Sequence, residues 1–185
     1  ERTQGLIFKD WPVMIDIGET TNYIGDVIAS VVAKTEVIAR RAVELIQVQY
    51  ETLQPVTDMH EAAKPESTPV HQGRSNVLET CSISFGDVDK AFNEAAYTSG
   101  GVYETQRIEH AFLETETAVA IPENDGVRLF SQGQGAYVDR KQVASILNLD
   151  EEKIVVSQVQ NGGGFGGKEY LTVQGHVSLF AFLMQ

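Results

Sequence analysis

Cysteine is almost absent from this sequence: Cys81 stands alone in 185 residues. That excludes an intrachain disulfide and any thiolate-held metal cluster. Basic residues are also few. Fourteen Lys and Arg face 26 Asp and Glu, a formal charge of −12, and so acidic a surface suits neither nucleic acid nor an anionic membrane. The longest apolar run, Val177 to Met184, contains Ser178 and is far too short to span a bilayer. There is no Asn-x-Ser/Thr site, and the first residues do not read as a secretory signal. His60, His71, His110 and His176 are too dispersed for metal-ligand spacing. A reducing, cytoplasmic setting is the expectation these absences leave.

What is present is an ordinary globular mixture, 42% hydrophobic and 22% charged, enough for one compact domain or two small ones. Both ends read as cuts. The chain begins at Glu1 without a methionine, and Gln185 follows directly on the apolar stretch Leu179–Met184, whereas natural termini tend to be polar and frayed. A packing partner for that stretch is expected in sequence beyond Gln185.

The apolar patterning predicts an α+β chain. Residues 27–33 form a β-rich apolar run introduced by Gly25, the mark of a buried strand. Thr35 can cap a helix whose apolar face carries Ile38, Ala42, Leu45 and Ile46. The period then changes to two over Ile46, Val48 and Tyr50, predicting a strand that ends near Pro55 and Asp58. Residues 64–80 lack periodicity and read as a linker or surface-wrapping segment, after which Asp87 caps a short helix through Phe92. Further strands are predicted at 102–105 and 118–121, and Asn124-Asp125-Gly126 turns the latter into 127–130. Asp139 with Gln142 resembles a capping box for a helix bearing Val143, Ile146 and Leu147. A strand over 154–159 runs into Gly162-Gly163-Gly164-Phe165-Gly166-Gly167-Lys168-Glu169, with a helix predicted next.

Five glycines in that six-residue loop mean that main chain turns with positive φ or approaches something closely. A tight turn without a ligand is the plainest reading. Gly162, Gly164 and Gly167 also satisfy the dinucleotide pattern G-x-G-x-x-G, but no acidic ribose-binding residue or following strand appears. Gly162 to Lys168 fits the start of a phosphate-binding P-loop, yet Glu169 stands where Ser or Thr would hold magnesium. That second nucleotide reading fails at the residue carrying its chemistry.

The whole string from Gly162 to Glu169 resembles the G-G-G-F-G-G-K-E signature of the xanthine dehydrogenase/aldehyde oxidase family of molybdenum hydroxylases. Other segments resemble the same family in the same order. They are Tyr23–Ala29, Glu51–Val56, Gly86–Phe92 and Glu109–Glu114, so the resemblance covers nearly the whole chain. It implies the C-terminal part of an α/β hammerhead-type domain followed by the beginning of a molybdopterin-binding domain. The implied boundaries are hammerhead 1–63, linker 64–95 and molybdopterin-binding part 96–185.

The resemblance implies a molybdenum–molybdopterin cofactor and hydroxylation of a purine such as xanthine, or a related N-heterocycle or aldehyde, with oxygen from water. Iron–sulfur clusters and FAD are expected on other domains or subunits, with the remainder of the large subunit as a further partner. Cofactor-binding residues implied are Gln134, Gly163, Gly164, Phe165 and Gly166, none a direct metal ligand; Gln132 is the rival for the role of Gln134. Physical chemistry supports the glycines and Phe165: glycine admits close backbone N–H groups, and an aromatic ring excludes water. Glu169 is the implied substrate-binding carboxylate that orients a purine. The family's catalytic base is a glutamate far toward the C-terminus, so no catalytic residue is expected in these 185 residues and the fragment alone is expected to be inactive. Two alternatives remain: an NAD- or FAD-binding domain using the glycine loop, and a non-catalytic segment that docks a partner subunit.

Overall fold

In the computed structural model, which describes residues 2–5 and 7–184, the chain forms two units, residues 1–48 with 109–185, and residues 49–108. Glu1 and Gln185, read above as cut ends, lie outside the described residues.

The sheet of the first unit begins at a turn. β3 (Ala118–Glu123) and β4 (Gly126–Ser131) pair antiparallel from Glu123↔Gly126 to Ala118↔Ser131. Between them Asn124 takes the left-handed conformation, φ 54°, which Asn tolerates better than most side chains. The chain then crosses through α4 (Ala136–Leu147) and returns as β5 (Ile154–Gln158), parallel to β4. Sheet order is therefore β3-β4-β5. The central strand is the most buried: Val127 and Leu129 are fully enclosed with Val143, Ala144 and Leu147 of α4, Ile154 of β5, and Leu171. Each such Val, Leu or Ile side chain contributes roughly 1.5–3 kcal/mol by leaving water. Val177, Leu179 and Phe182 of α5 (Gln174–Leu183) pack against this cluster half-buried. The N-terminal segment adds a short ladder, β1 (Thr3–Gln4) with β2 (Trp11–Pro12). His176 clasps it, one ring nitrogen facing the Val13 carbonyl and the other the Thr172 carbonyl.

Mixed helix and sheet, and the 118–121/127–130 hairpin, match the sequence patterning. Four expectations do not. Residues 27–33, 46–50 and 102–105 are irregular, although each has strand-like composition. Composition sets which face of a strand is apolar, but a strand exists only where a neighbour accepts its hydrogen bonds; Val27 contributes a single carbonyl, to the Ile15 N–H. Helix α1 (Glu36–Glu44) forms with Thr35 as its cap, yet none of its residues is buried and Leu45, just beyond, is 80% exposed. Asp139 does not cap a helix. It lies inside α4, one turn past the Gly135 cap, because its carboxylate turns back to the Ser131 hydroxyl at 2.6 Å. Finally, no helix follows the glycine loop directly; α5 starts at Gln174.

In the second unit, α2 (Met59–Ala62) and α3 (Val88–Glu94) are capped by Asp58 and Asp87. Between them, Asn76 ties the irregular stretch together. Its amide donates to the carbonyls of Ala62 and Thr68 and accepts from the Val70 N–H. No helix among the described residues is long and apolar enough to cross a membrane.

Candidate functional site

Parallel strands β4 and β5 place their C-terminal ends side by side, Ser131 opposite Gln158. Such an end is where ligands bind in crossover α/β units, because the chain leaves adjacent strands there as loops. Three segments meet at this edge: residues 110–117 leading into β3, residues 132–135 leaving β4, and residues 159–168 leaving β5. Hydrogen bonds join them. The Asn161 amide reaches the Gln132 carbonyl, the Gln158 amide the Gly133 carbonyl (2.9 Å), and the Gly162 N–H the Glu114 carboxylate (2.5 Å).

Gln134 and the glycine loop touch directly. Its side-chain oxygen Oε1 accepts from the N–H groups of Gly166 (3.0 Å) and Lys168 (3.2 Å), while its own backbone N–H donates to the Lys168 carbonyl (2.9 Å). Two N–H donors aimed at one atom fix it as the amide oxygen. The amide NH2 therefore faces away from the loop and has no partner among the described residues. A side chain on Gly164 would put its Cβ 2.4 Å from this same oxygen, which explains the glycine there.

Gly163 and Gly166 hold positive φ, 106° and 90°, and so does Phe165 at 52°. A bulky residue in that region is strained and needs surroundings that compel it. Phe165 is 74% exposed, so within this chain most of it faces solvent. The N–H groups of Gly163, Gly164 and Phe165 find no acceptor among the described residues, whereas that of Gly166 is spent on Gln134. Glu169 is exposed and makes no hydrogen bond or ion pair among the described residues.

Gln132, the rival glutamine, is buried, and its amide is fully used. It donates to the Thr115 carbonyl and the Thr117 hydroxyl, and accepts from Lys168 Nζ at 2.9 Å. Lys168 is the residue whose place in the structure the sequence least foretold. It is buried to 1% exposure, donates also to the Glu114 carbonyl at 2.7 Å, and lies 4.5 Å over the Phe112 ring. Its only sequence signal was its position inside the glycine string.

Behind the loops, the Ser131 hydroxyl accepts from the Gly133 N–H and donates to Asp139. Burial holds the Asp139 carboxyl above the ordinary carboxylate range, with the Ser131 hydrogen bond opposing that shift. This polar layer fixes the turn that presents Gln134. A cavity of about 150 Å³ lies elsewhere in the unit, lined by Trp11, Tyr23, Leu171 and His176 among others, and shares no residue with the glycine loop.

No cluster of three or more His, Cys, Asp or Glu among the described residues could hold a metal ion. The edge instead offers neutral donors, one amide NH2 and three backbone N–H groups, set around a close-packed glycine turn. Those fit a metal that arrives with its own organic ligand and is held by hydrogen bonds.

Comparison with known proteins gives the same frame. Residues 70–185 match the model of the molybdopterin cofactor-binding domain, and residues 3–54 that of the aldehyde oxidase and xanthine dehydrogenase a/b hammerhead domain. The chain is 38% identical to a probable xanthine dehydrogenase subunit from Bacillus subtilis, over 96% of this chain and 24% of that protein. It is 34% identical to the nicotinate dehydrogenase large molybdopterin subunit of Eubacterium barkeri, over 96% of this chain and 41% of that one. Among solved structures, quinoline 2-oxidoreductase from Pseudomonas putida 86 superposes with a TM-score of 0.65 at 28% identity, covering 82% of this chain and 20% of that one. Aldehyde oxidoreductase from Desulfovibrio gigas shares the fold with a TM-score of 0.71 at 24% identity, over 82% and 17% of the respective chains.

Proposed function

The chain belongs to the molybdopterin cofactor-binding domain family, preceded by an aldehyde oxidase and xanthine dehydrogenase hammerhead region, and we propose that it builds one wall of the catalytic centre of a molybdenum hydroxylase. The cofactor is molybdenum–molybdopterin. The observation that carries the reading is the clamp on Gln134: Gly166 and Lys168 hold its amide oxygen, so its NH2 is presented outward in one orientation. This favours Gln134 as the glutamine beside the metal in the reading proposed here, with Gln132, whose amide is consumed internally, as a structural partner.

When bound, the molybdenum centre supplies the two-electron redox chemistry that adds oxygen from water to an electron-poor carbon. This chain's residues orient and enclose it. The Gln134 NH2 and the N–H groups of Gly163, Gly164 and Phe165 donate toward the cofactor, and Phe165 keeps water out once its exposed ring is covered. Strain at Phe165 is the kind of local cost that persists where function requires it.

The domain division 1–63, 64–95 and 96–185 belongs to the same proposal, as does a cytoplasmic location. The chain spans 24% and 41% of the two relatives named above. The catalytic base and the iron–sulfur and FAD centres are assigned to other parts of the protein or to partner subunits. The 185 residues alone are thus expected to carry no stoichiometric molybdenum and no purine-dependent dye reduction, while the full-length protein shows both. Positioned acid–base groups contribute roughly 10²–10⁴-fold to rate, and a partial site leaves cofactor groups unpaired. Turnover by the short chain would contradict this.

For the substrate we propose a purine such as xanthine, or a related N-heterocycle, oriented by Glu169. Its exposure and lack of any protein partner among the described residues leave its carboxylate available to a ring N–H. Glu169→Val in the full-length protein should lower kcat/KM for a purine about ten- to a hundredfold, the loss of one hydrogen bond to a charged group, and spare an aldehyde. Equal losses on both substrates would make Glu169 structural.

A further inference from the structure

We infer that the Lys168 ammonium is the buried counter-charge of the anionic group the glycine loop receives, a role resting on the cofactor reading above. Lysine is rarely buried without a carboxylate, because an isolated charge loses its hydration and needs an opposite charge to recover that loss. Here the contacts of Nζ among the described residues are neutral: the Glu114 carbonyl, the Gln132 amide oxygen and the face of Phe112. No carboxylate among the described residues pairs with it. The Glu114 carboxylate turns instead to the Gly162 N–H, and that of Glu169, the next residue along the chain, is exposed.

The charge sits where an anion would use it. Lys168 closes the glycine loop, its main chain gripping Gln134 at both the amide oxygen and the backbone N–H. The unpaired N–H groups of Gly163, Gly164 and Phe165 belong to the same loop and also favour negative charge. In a region shielded from water, a unit charge acts over several ångströms more strongly than at the surface. The neutral ligands of Nζ keep the ammonium fixed without cancelling it. Lys168 therefore steadies the loaded site electrostatically, and it eases reduction of a metal centre held there.

The test uses the full-length protein with three substitutions. Lys168→Gln removes the charge and keeps a donor. Gln132→Glu leaves the lysine and places a carboxylate beside it, which neutralises the charge by another route should Lys168→Gln fail to fold. Lys168→Arg keeps the charge. Two readouts are taken: the midpoint potential of the molybdenum centre, and the rise in melting temperature on going from cofactor-free to loaded protein. Lys168→Gln and Gln132→Glu are each expected to lower the potential and shrink the rise, because a charge that favours the loaded form has gone; Lys168→Arg should retain more of both. A merely structural lysine would lower both melting curves together and leave their difference and the potential unchanged, which overturns the inference. So would an equal fall in potential for Lys168→Arg and Lys168→Gln. Absence of molybdenum from the unsubstituted protein would overturn the cofactor reading itself, and that outcome is seen before any variant is made.

Discussion

Gly164→Ala in the full-length protein is expected to cut turnover about a hundredfold while leaving the fold intact, since displacement of a positioning group by about 1 Å is enough for a loss of that size. Gly164 has no positive φ, so its backbone accepts alanine. The added methyl would lie 2.4 Å from Gln134 Oε1 and 2.8 Å from its Cδ. Those atoms are the far end of a flexible side chain, and they yield by swinging away. The clamp from Gly166 and Lys168 is then lost, and the amide NH2 no longer points in one direction. Melting temperature should change by only a few degrees, about what 1 kcal/mol does in a chain of this size. Near-normal kcat with the fold preserved would show that the orientation of Gln134 is immaterial. If unfolding accompanies the loss, the effect is on packing and not on the site.

Gly126→Ala should behave in the opposite way, as a failure of folding. Its Cβ would fall 1.9 Å from the Lys153 carbonyl oxygen and 2.8 Å from the carbonyl carbon. Backbone cannot swing aside. Gly126 leaves the Asn124-Asp125 turn, and the next residue begins the pairing Val127↔Ile154, so relief means parting β4 from β5 where two buried core residues meet. A cost of about 3 kcal/mol, the upper range for overpacking, is expected as a lower urea midpoint and reduced soluble yield. The proposed cofactor site, at the other end of the same strands, should be lost only with the fold. Wild-type stability in this variant would mean that β4 and β5 are not closely paired at Val127↔Ile154.

These two glycines also show where the sequence was legible. The turn was readable because Asn124-Asp125-Gly126 carries its own local chemistry, and it delivered β3 and β4 in register. The glycine string was readable as a whole, because eight residues in order discriminate between a phosphate loop, a dinucleotide loop and the molybdenum hydroxylase signature. Long-range pairings were not readable. Residues 27–33 and 46–50 look like strands in isolation, but their form depends on which chain lies alongside. Asp139 looked like a cap since Gln142 follows at the right spacing; the Ser131 hydroxyl, eight residues upstream, competes for the same carboxylate. Lys168 stood in plain view inside the signature. Its burial depends on Glu114 and Gln132 converging from separate segments, and no spacing rule announces that.

The outward amide of Gln134 and the strained glycine loop are proposed to face the molybdenum centre. A crystal structure of the full-length loaded protein, with anomalous scattering recorded at the molybdenum edge, tests this most directly. A single metal peak is expected beside the loop, with Gln134 Nε2 about 3 Å from one of the metal's ligands, normal hydrogen-bond range. A molybdenum peak remote from residues 134 and 163–166, or an adenine dinucleotide seated on the loop in its place, would contradict it.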